Sequence, residues 1–307
     1  MGRLTAVPLV AVALAAPWLV ALIAPGQQRY IVHVLIYTAL FAALALSYDL
    51  VVGHVGSLSL AHPAFFGAGA YTAAILATRA GWPFLADVAG AVLVAGVLAA
   101  VAGVPLFRLT EHAFAVGTLG FAVVAWIVAT NWVEVTRGPL CITGIPKPVT
   151  TLPAWYGVAL AALGVVLVLY LGMTTFRLGR ALHAVRDNEP LAAAAAINPL
   201  RYRRLAFAVG GALAGGIGAL YAHYLSVFCP EEMTMALTVN LLVILFLGGV
   251  GSLRGVLVGA VLFTALPEVL RLAPTWRLVI YGALLLVIVV RSPEGLEGLF
   301  RRRAGAR

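Results

Sequence analysis

Leu160-Ala161-Ala162-Leu163-Gly164-Val165-Val166-Leu167-Val168-Leu169-Tyr170-Leu171 carries no charge and no alternation of apolar with polar residues. Ala91 to Val101 reads the same way. A transmembrane barrel strand would alternate, lipid-facing with lumen-facing. A helix satisfies its backbone hydrogen bonds internally, so uniformly apolar runs predict membrane-spanning helices. The whole chain agrees. Of its 307 residues, 63% are hydrophobic and 10% charged, against about 25% charged in soluble domains. The expected fold class is all-α, a polytopic membrane helical bundle forming one domain over residues 1–307.

About ten apolar segments can be marked, with boundaries good to about four residues. They lie near 5–24, 30–52, 58–78, 84–104, 113–133, 154–175, 205–227, 236–250, 255–271 and 276–291. The first runs for about the 20 residues a span needs, so an uncleaved helix is preferred to a signal peptide. The eighth is short. Only the turn Gly248-Gly249-Val250-Gly251-Ser252-Leu253-Arg254-Gly255 separates it from the ninth. Two tilted helices and one broken helix are both open there.

With ten spans both termini share one side. If that side is the cytoplasm, 14 of the 20 basic residues fall inside and 6 outside, as the positive-inside rule requires. The net charge of +9 is then a matter of topology rather than of nucleic-acid binding. Inside lies the longest internal polar stretch, within a loop over 176–204. It contains Arg177, Arg180, Arg186, Arg201, Arg203 and Arg204 around an alanine-rich core. Pro190 fits the first turn of a short helix from Pro190 to Ala196, capped by Asn188 or Asp187. Such a loop is expected to dock a soluble partner.

Small residues recur at helical spacing in the seventh segment. Gly210, Ala214, Gly218 and Ala222 form one ridge, and Gly211, Gly215 and Ala219 a second. Gly69 with Ala73, and Gly255 with Gly259, repeat the pattern. Such ridges let helix backbones approach closely in lipid. Gly53-His54-Val55-Gly56-Ser57-Leu58 is echoed by Gly248 to Leu253 as G-x-V-G-S-L. The echo is read as a local solution for a turn opening a helix, with chance the favoured origin. Cys141 and Cys229 lack metal spacing; free thiols are expected, with a disulfide as the alternative.

No phosphate-binding glycine loop, metal motif or nucleophile elbow occurs. No catalytic residue, metal or cofactor is therefore assigned, and the chain is not expected to be an enzyme. Asp49, Glu111, His112 and Glu134 lie near segment ends. His62, Asn131, His223 and Asn240 are the polar residues nearest to depth. The absence of a convincing mid-membrane carboxylate argues against an ion-coupled carrier.

Three stretches carry a resemblance. Tyr48-Asp49-Leu50-Val51-Val52-Gly53 through Gly56-Ser57-Leu58-Ser59-Leu60-Ala61-His62-Pro63-Ala64-Phe65-Phe66-Gly67 to Tyr71 is the first. Ala113 to Phe121, with Thr136-Arg137-Gly138 and Ile142-Thr143-Gly144-Ile145-Pro146, is the second. Gly179-Arg180-Ala181-Leu182-His183-Ala184-Val185-Arg186-Asp187-Asn188-Glu189, then Ile197-Asn198 and Ala206-Phe207, is the third. In this order they resemble the signatures of LivM-type branched-chain amino acid ABC permeases, over nearly all of the chain after about residue 30. Ala61, Cys141 and Ala196 stand where that family usually has glycine.

The resemblance implies a membrane permease subunit of an ABC importer, multi-pass in the bacterial inner membrane. It implies a second related permease, two cytoplasmic ABC ATPases and an extracytoplasmic binding protein as partners. The loop would couple to an ATPase through Arg186, Asp187, Glu189, Ala192, Ala196 and Asn198, with Ala192–Ala196 filling an apolar groove. Ser57, Ser59, His62, Phe65, Thr118 and Asn131 are the candidates for the translocation path. Urea, amides or other amino acids are the alternative solutes, and an ion-coupled secondary transporter is the rival class.

Overall fold

The computed structural model describes residues 28–269, together with Gly282 and Gly295. Apart from those two glycines, the segments at 5–24 and 276–291, the stretch 270–271 and both termini lie outside the described residues.

Helix α1 (Gln28–Asp49) runs on into a π-helical turn, Leu50–Val55. It is followed by α2 (His62–Arg79), α3 (Phe84–Leu106), α4 (Glu111–Asn131) and α5 (Leu152–Thr175). Two short helices come next, α6 (Arg177–Asp187) and α7 (Glu189–Ala194). Then come α8 (Pro199–Leu225), α9 (Met235–Gly248) and α10 (Leu253–Val269). Among the described residues, five helices are long and apolar enough to cross a membrane: α1 with its π turn, α3, α4, α5 and α8. The protein is an all-α, multi-pass membrane bundle.

Helix α8 is the axis of the bundle, and its glycines explain why. The two ridges face different neighbours. Gly210 abuts the Ser47 carbonyl of α1 and Gly218 the Phe66 carbonyl of α2. Gly211 and Gly215 receive the Ala99 and Ala95 methyls of α3, while Gly69 of α2 also closes on Gly215. Lipid supplies no hydrophobic drive for helix association, so close backbone packing holds these helices together. Helices α1 and α3 run antiparallel to α8, so Asp49 and Gly53 lie at one end of the bundle and Asp87 at the other.

The question over the eighth and ninth segments is resolved. Gly248 packs on Gly255, and Gly259 on the Ile244 carbonyl, so α9 and α10 fold back as an antiparallel hairpin. With 14 residues, α9 is about 21 Å long, shorter than the roughly 30 Å hydrocarbon layer.

The short coupling-loop helix starts one residue before the predicted Pro190. Asn188 caps it, its Oδ1 accepting the Leu191 N–H at 3.0 Å. It ends at Ala194, two residues short of the predicted end, and Ala196 just beyond it has φ of 61°. This is the alanine that stands where the resembling family has glycine. A Cβ in this left-handed conformation costs about 1–2 kcal/mol. Ala196→Gly is therefore expected to stabilise the protein by about 0.5–1 kcal/mol after glycine's own entropy cost. The readout is a higher thermal midpoint; a lower one would reject the strain.

Candidate functional site

At the Asp49 end, three stretches separated in sequence meet: the π turn of α1, helix α6, and the glycine turn before α10. Helix α6 is amphipathic. It buries Gly179, Ala181, Leu182 and Val185 and exposes Arg177, Arg180 and Arg186. The Arg186 guanidinium reaches back to donate to the Gly53 carbonyl. Glu189 pairs with Arg203 at 2.9 Å. Asp187 is exposed at the end of α6, and Asn198 caps α8 through the Arg201 N–H at 3.2 Å. Of the alanine ridge, only Ala192 packs inward. Ala193 to Ala196 are exposed, and Leu191 is 67% exposed. His183 of α6 faces the His54 ring at 5.2 Å. Partial burial, then the charges of His54 and Arg186, lower its pKa, while Asp187 opposes them.

The extended stretch from Gly56 to Ala61 leads into α2, and its backbone is satisfied by side chains. Tyr48 donates its hydroxyl to the Ser59 carbonyl at 2.7 Å, and Thr118 of α4 accepts the Leu60 N–H at 2.9 Å. Irregular backbone at membrane depth needs such partners. His62 is buried, with Nε2 2.9 Å from the Ser47 hydroxyl and Nδ1 unpartnered. Phe65 lies between the rings of Phe121 and Phe207. Ser59, His62, Phe65 and Thr118 therefore form one cluster, with Ser57 half-buried at its margin. Asn131 does not join it. It sits at the far end of α4, exposed, and donates to its own Ile127 carbonyl at 2.8 Å.

The opposite end corrects one expectation. The cysteines are not free: Cys141 and Cys229 form a disulfide. Strands β1 (Ile142–Thr143) and β2 (Val227–Phe228) pair antiparallel with Ile142 opposite Phe228, so the same register sets Cys141 opposite Cys229. Cys141 has φ of 56°, matching the glycine usual at this position in the resembling family. Glu231 lies beside the two sulfurs, but sulfurs bonded to each other offer no thiolate to a metal.

Among the described residues two carboxylates are buried, one at each end of the bundle. Asp87 and Asp49 are both fully buried. Asp87 Oδ2 lies 3.1 Å from His223 Nε2, and His223 Nδ1 lies 2.7 Å from the Pro146 carbonyl. Asp87 was overlooked in the sequence, although one carboxylate in the first turn of a 23-residue apolar helix is a signal.

Residues 30–289 match the family described as branched-chain amino acid transport system, permease component. The chain belongs to that family. It is similar to the high-affinity branched-chain amino acid transport permease LivM of Salmonella typhimurium, 30% identical over 97% of this chain and 76% of the relative. It is similar to LivH of Escherichia coli K12 at 25% identity, over 84% of this chain and 91% of the relative. The autoinducer 2 import permease LsrC of an Enterobacter species is 28% identical over 64% of this chain and 59% of the relative. No solved structure matches it significantly. For a permease of this family, the two ends now have distinct characters. One gathers α6, α7 and two glycine turns; the other carries a disulfide and a buried carboxylate–imidazole pair.

Proposed function

We propose that this permease is the membrane subunit of a bacterial ABC importer that moves branched-chain amino acids, or close relatives of them, across the inner membrane. In this reading ten spans put both termini in the cytoplasm, and residues 1–307 form one domain with the coupling loop at 176–204. The disulfide supports this orientation, because such bonds persist in oxidising compartments and it lies at the end assigned to the outside. The partners are two cytoplasmic ABC ATPases, a second related permease and an extracytoplasmic binding protein. Energy comes from ATP hydrolysis on the ATPases, and this chain does no covalent chemistry. Ser57, Ser59, His62, Phe65 and Thr118 line or border the path, with Asn131 a more peripheral candidate. The LsrC likeness favours, as a second reading, the same kind of permease moving a different small solute.

The observation that carries the proposal is the exposed apolar edge of α7. Leu191 and Ala193 to Ala196 stand out from a loop in which Glu189 is paired with Arg203 and Arg186 is held by Gly53. A cleft in an ATPase would cover that edge, with Arg186, Asp187, Glu189, Ala192 and Asn198 shaping and bracing it. Leu191→Arg puts a charge into such a groove. It is expected to abolish co-purification with the ATPases and reduce ATP-driven uptake at least tenfold, while membrane insertion is unchanged. Normal association would reject the docking assignment.

A further inference from the structure

The echoed glycine turns meet across one side chain. Gly56 and Gly251 occupy equivalent places in the two G-x-V-G-S-L stretches, and both have φ of 76°. A Cβ on Gly56 would sit 3.0 Å from Arg186 Cγ, and one on Gly251 would sit 3.2 Å from Arg186 Nη1. The same guanidinium donates to the Gly53 carbonyl. The echoed stretches thus set two glycines of the same left-handed conformation on either side of Arg186 of α6.

Asp49 joins the turns from the other side. It is fully buried. Its Oδ1 accepts the Gly251 N–H at 2.8 Å, and its Oδ2 accepts the Tyr170 hydroxyl at 2.6 Å. His54 Nδ1 is 3.5 Å from Oδ2, and among the described residues it is the only ion-pair partner of Asp49. A buried carboxylate is costly unless donors surround it, and here each donor comes from a different element. There is no slack for a side chain: a Cβ on Gly53 would overlap the Asp49 carboxylate and lie 2.7 Å from the Gly251 nitrogen.

We propose that Asp49 and Arg186 form a latch that passes movement of α6 to both glycine turns together. Both are positioning residues of the transport cycle and neither touches solute. Arg186 rides on the ATPase-docking loop and holds the first turn by its Gly53 carbonyl. Asp49 ties the second turn to the end of α1. The first turn leads through the stretch 56–61 into α2, which bears His62 and Phe65; the second opens α10. One lever therefore serves two helices that start 191 residues apart in sequence, at His62 and Leu253. The inference rests on the importer reading and adds the mechanical link within it.

The test uses the complete complex, with its ATPases and binding protein, in liposomes with radiolabelled leucine as the probe. In Asp49→Leu, close to aspartate in shape, the Gly251 N–H and the Tyr170 O–H both lose their acceptor. The complex is expected to assemble and hydrolyse ATP, but hydrolysis should lose its response to leucine-loaded binding protein and uptake should fall at least tenfold. Adding Tyr170→Phe removes the stranded hydroxyl and is expected to raise the yield of folded complex over Asp49→Leu, while coupling stays lost because the Gly251 N–H is still untied. Coupling within twofold of wild type in Asp49→Leu would overturn the latch. So would hydrolysis and uptake falling in proportion to the folded complex recovered, or coupling regained together with the fold in the double variant. A wild-type complex that takes up no leucine with ATP would instead overturn the leucine-importer reading, and the latch with it.

Discussion

Gly215→Leu is expected to leave little folded permease in the membrane. A Cβ at this position would overlap the Ala95 methyl of α3 and lie 3.0 Å from the Ala91 carbonyl and 3.4 Å from the Phe65 carbonyl of α2. Two of these three neighbours are backbone atoms, which cannot swing aside as a long side chain can. Overpacking by a few methylenes costs about 1–3 kcal/mol where neighbours can shift. Here α8 is squeezed from two sides, so a loss above about 3 kcal/mol is expected, a large share of the roughly 5–15 kcal/mol that holds a folded domain. Gly120→Leu on α4 is the control, because a Cβ there meets nothing within 4 Å. Its effect should stay within about 0.5 kcal/mol. The comparison is made on detergent-extracted protein, by monodisperse yield and thermal midpoint. If Gly215→Leu behaves like Gly120→Leu, α8 is not the close-packed axis of the bundle.

The ridges around Gly215 were legible because a 3.6-residue period puts i and i+4 on one face, whatever lies opposite. The cap at Asn188 and the first-turn proline were legible for the same local reason. Long-range register was not. Nothing in Gly53–Leu58 or Gly248–Leu253 says that the two turns face each other, because that depends on how α1, α6 and the α9–α10 hairpin are arranged. The disulfide was missed for a similar cause: strands of two residues leave no alternation to read. With the 176–204 loop inside, both cysteines fall in outer loops, and that was a usable hint. In the candidate path, Ser59, His62 and Phe65 were close in sequence and stayed together. Asn131 was grouped with Thr118 by polarity alone, and 13 residues of helix separate the two, about 20 Å along the axis.

His223→Ala should be the most damaging single change at the disulfide end. It would leave Asp87 fully buried with its imidazole partner gone. Both His223 nitrogens face oxygens, Asp87 Oδ2 and the Pro146 carbonyl. Removing one member of a buried pair costs about 3–5 kcal/mol, chiefly because the other charge is stranded, whereas replacing both can be nearly neutral. The double variant Asp87→Leu with His223→Ala is therefore expected to be more stable than His223→Ala alone, with a coupling of at least about 2 kcal/mol in the cycle. The second bond makes the prediction sharper. His223 also fastens the loop at Pro146 to α8, and that contact is lost in both His223 variants. Its cost thus appears equally in the single and double variants, and the recovery on removing Asp87 isolates the stranded carboxylate. A cycle with no coupling would mean that Asp87 finds water or another donor when His223 is gone. The pair would then be a packing contact between α3 and α8 rather than a sealed charge.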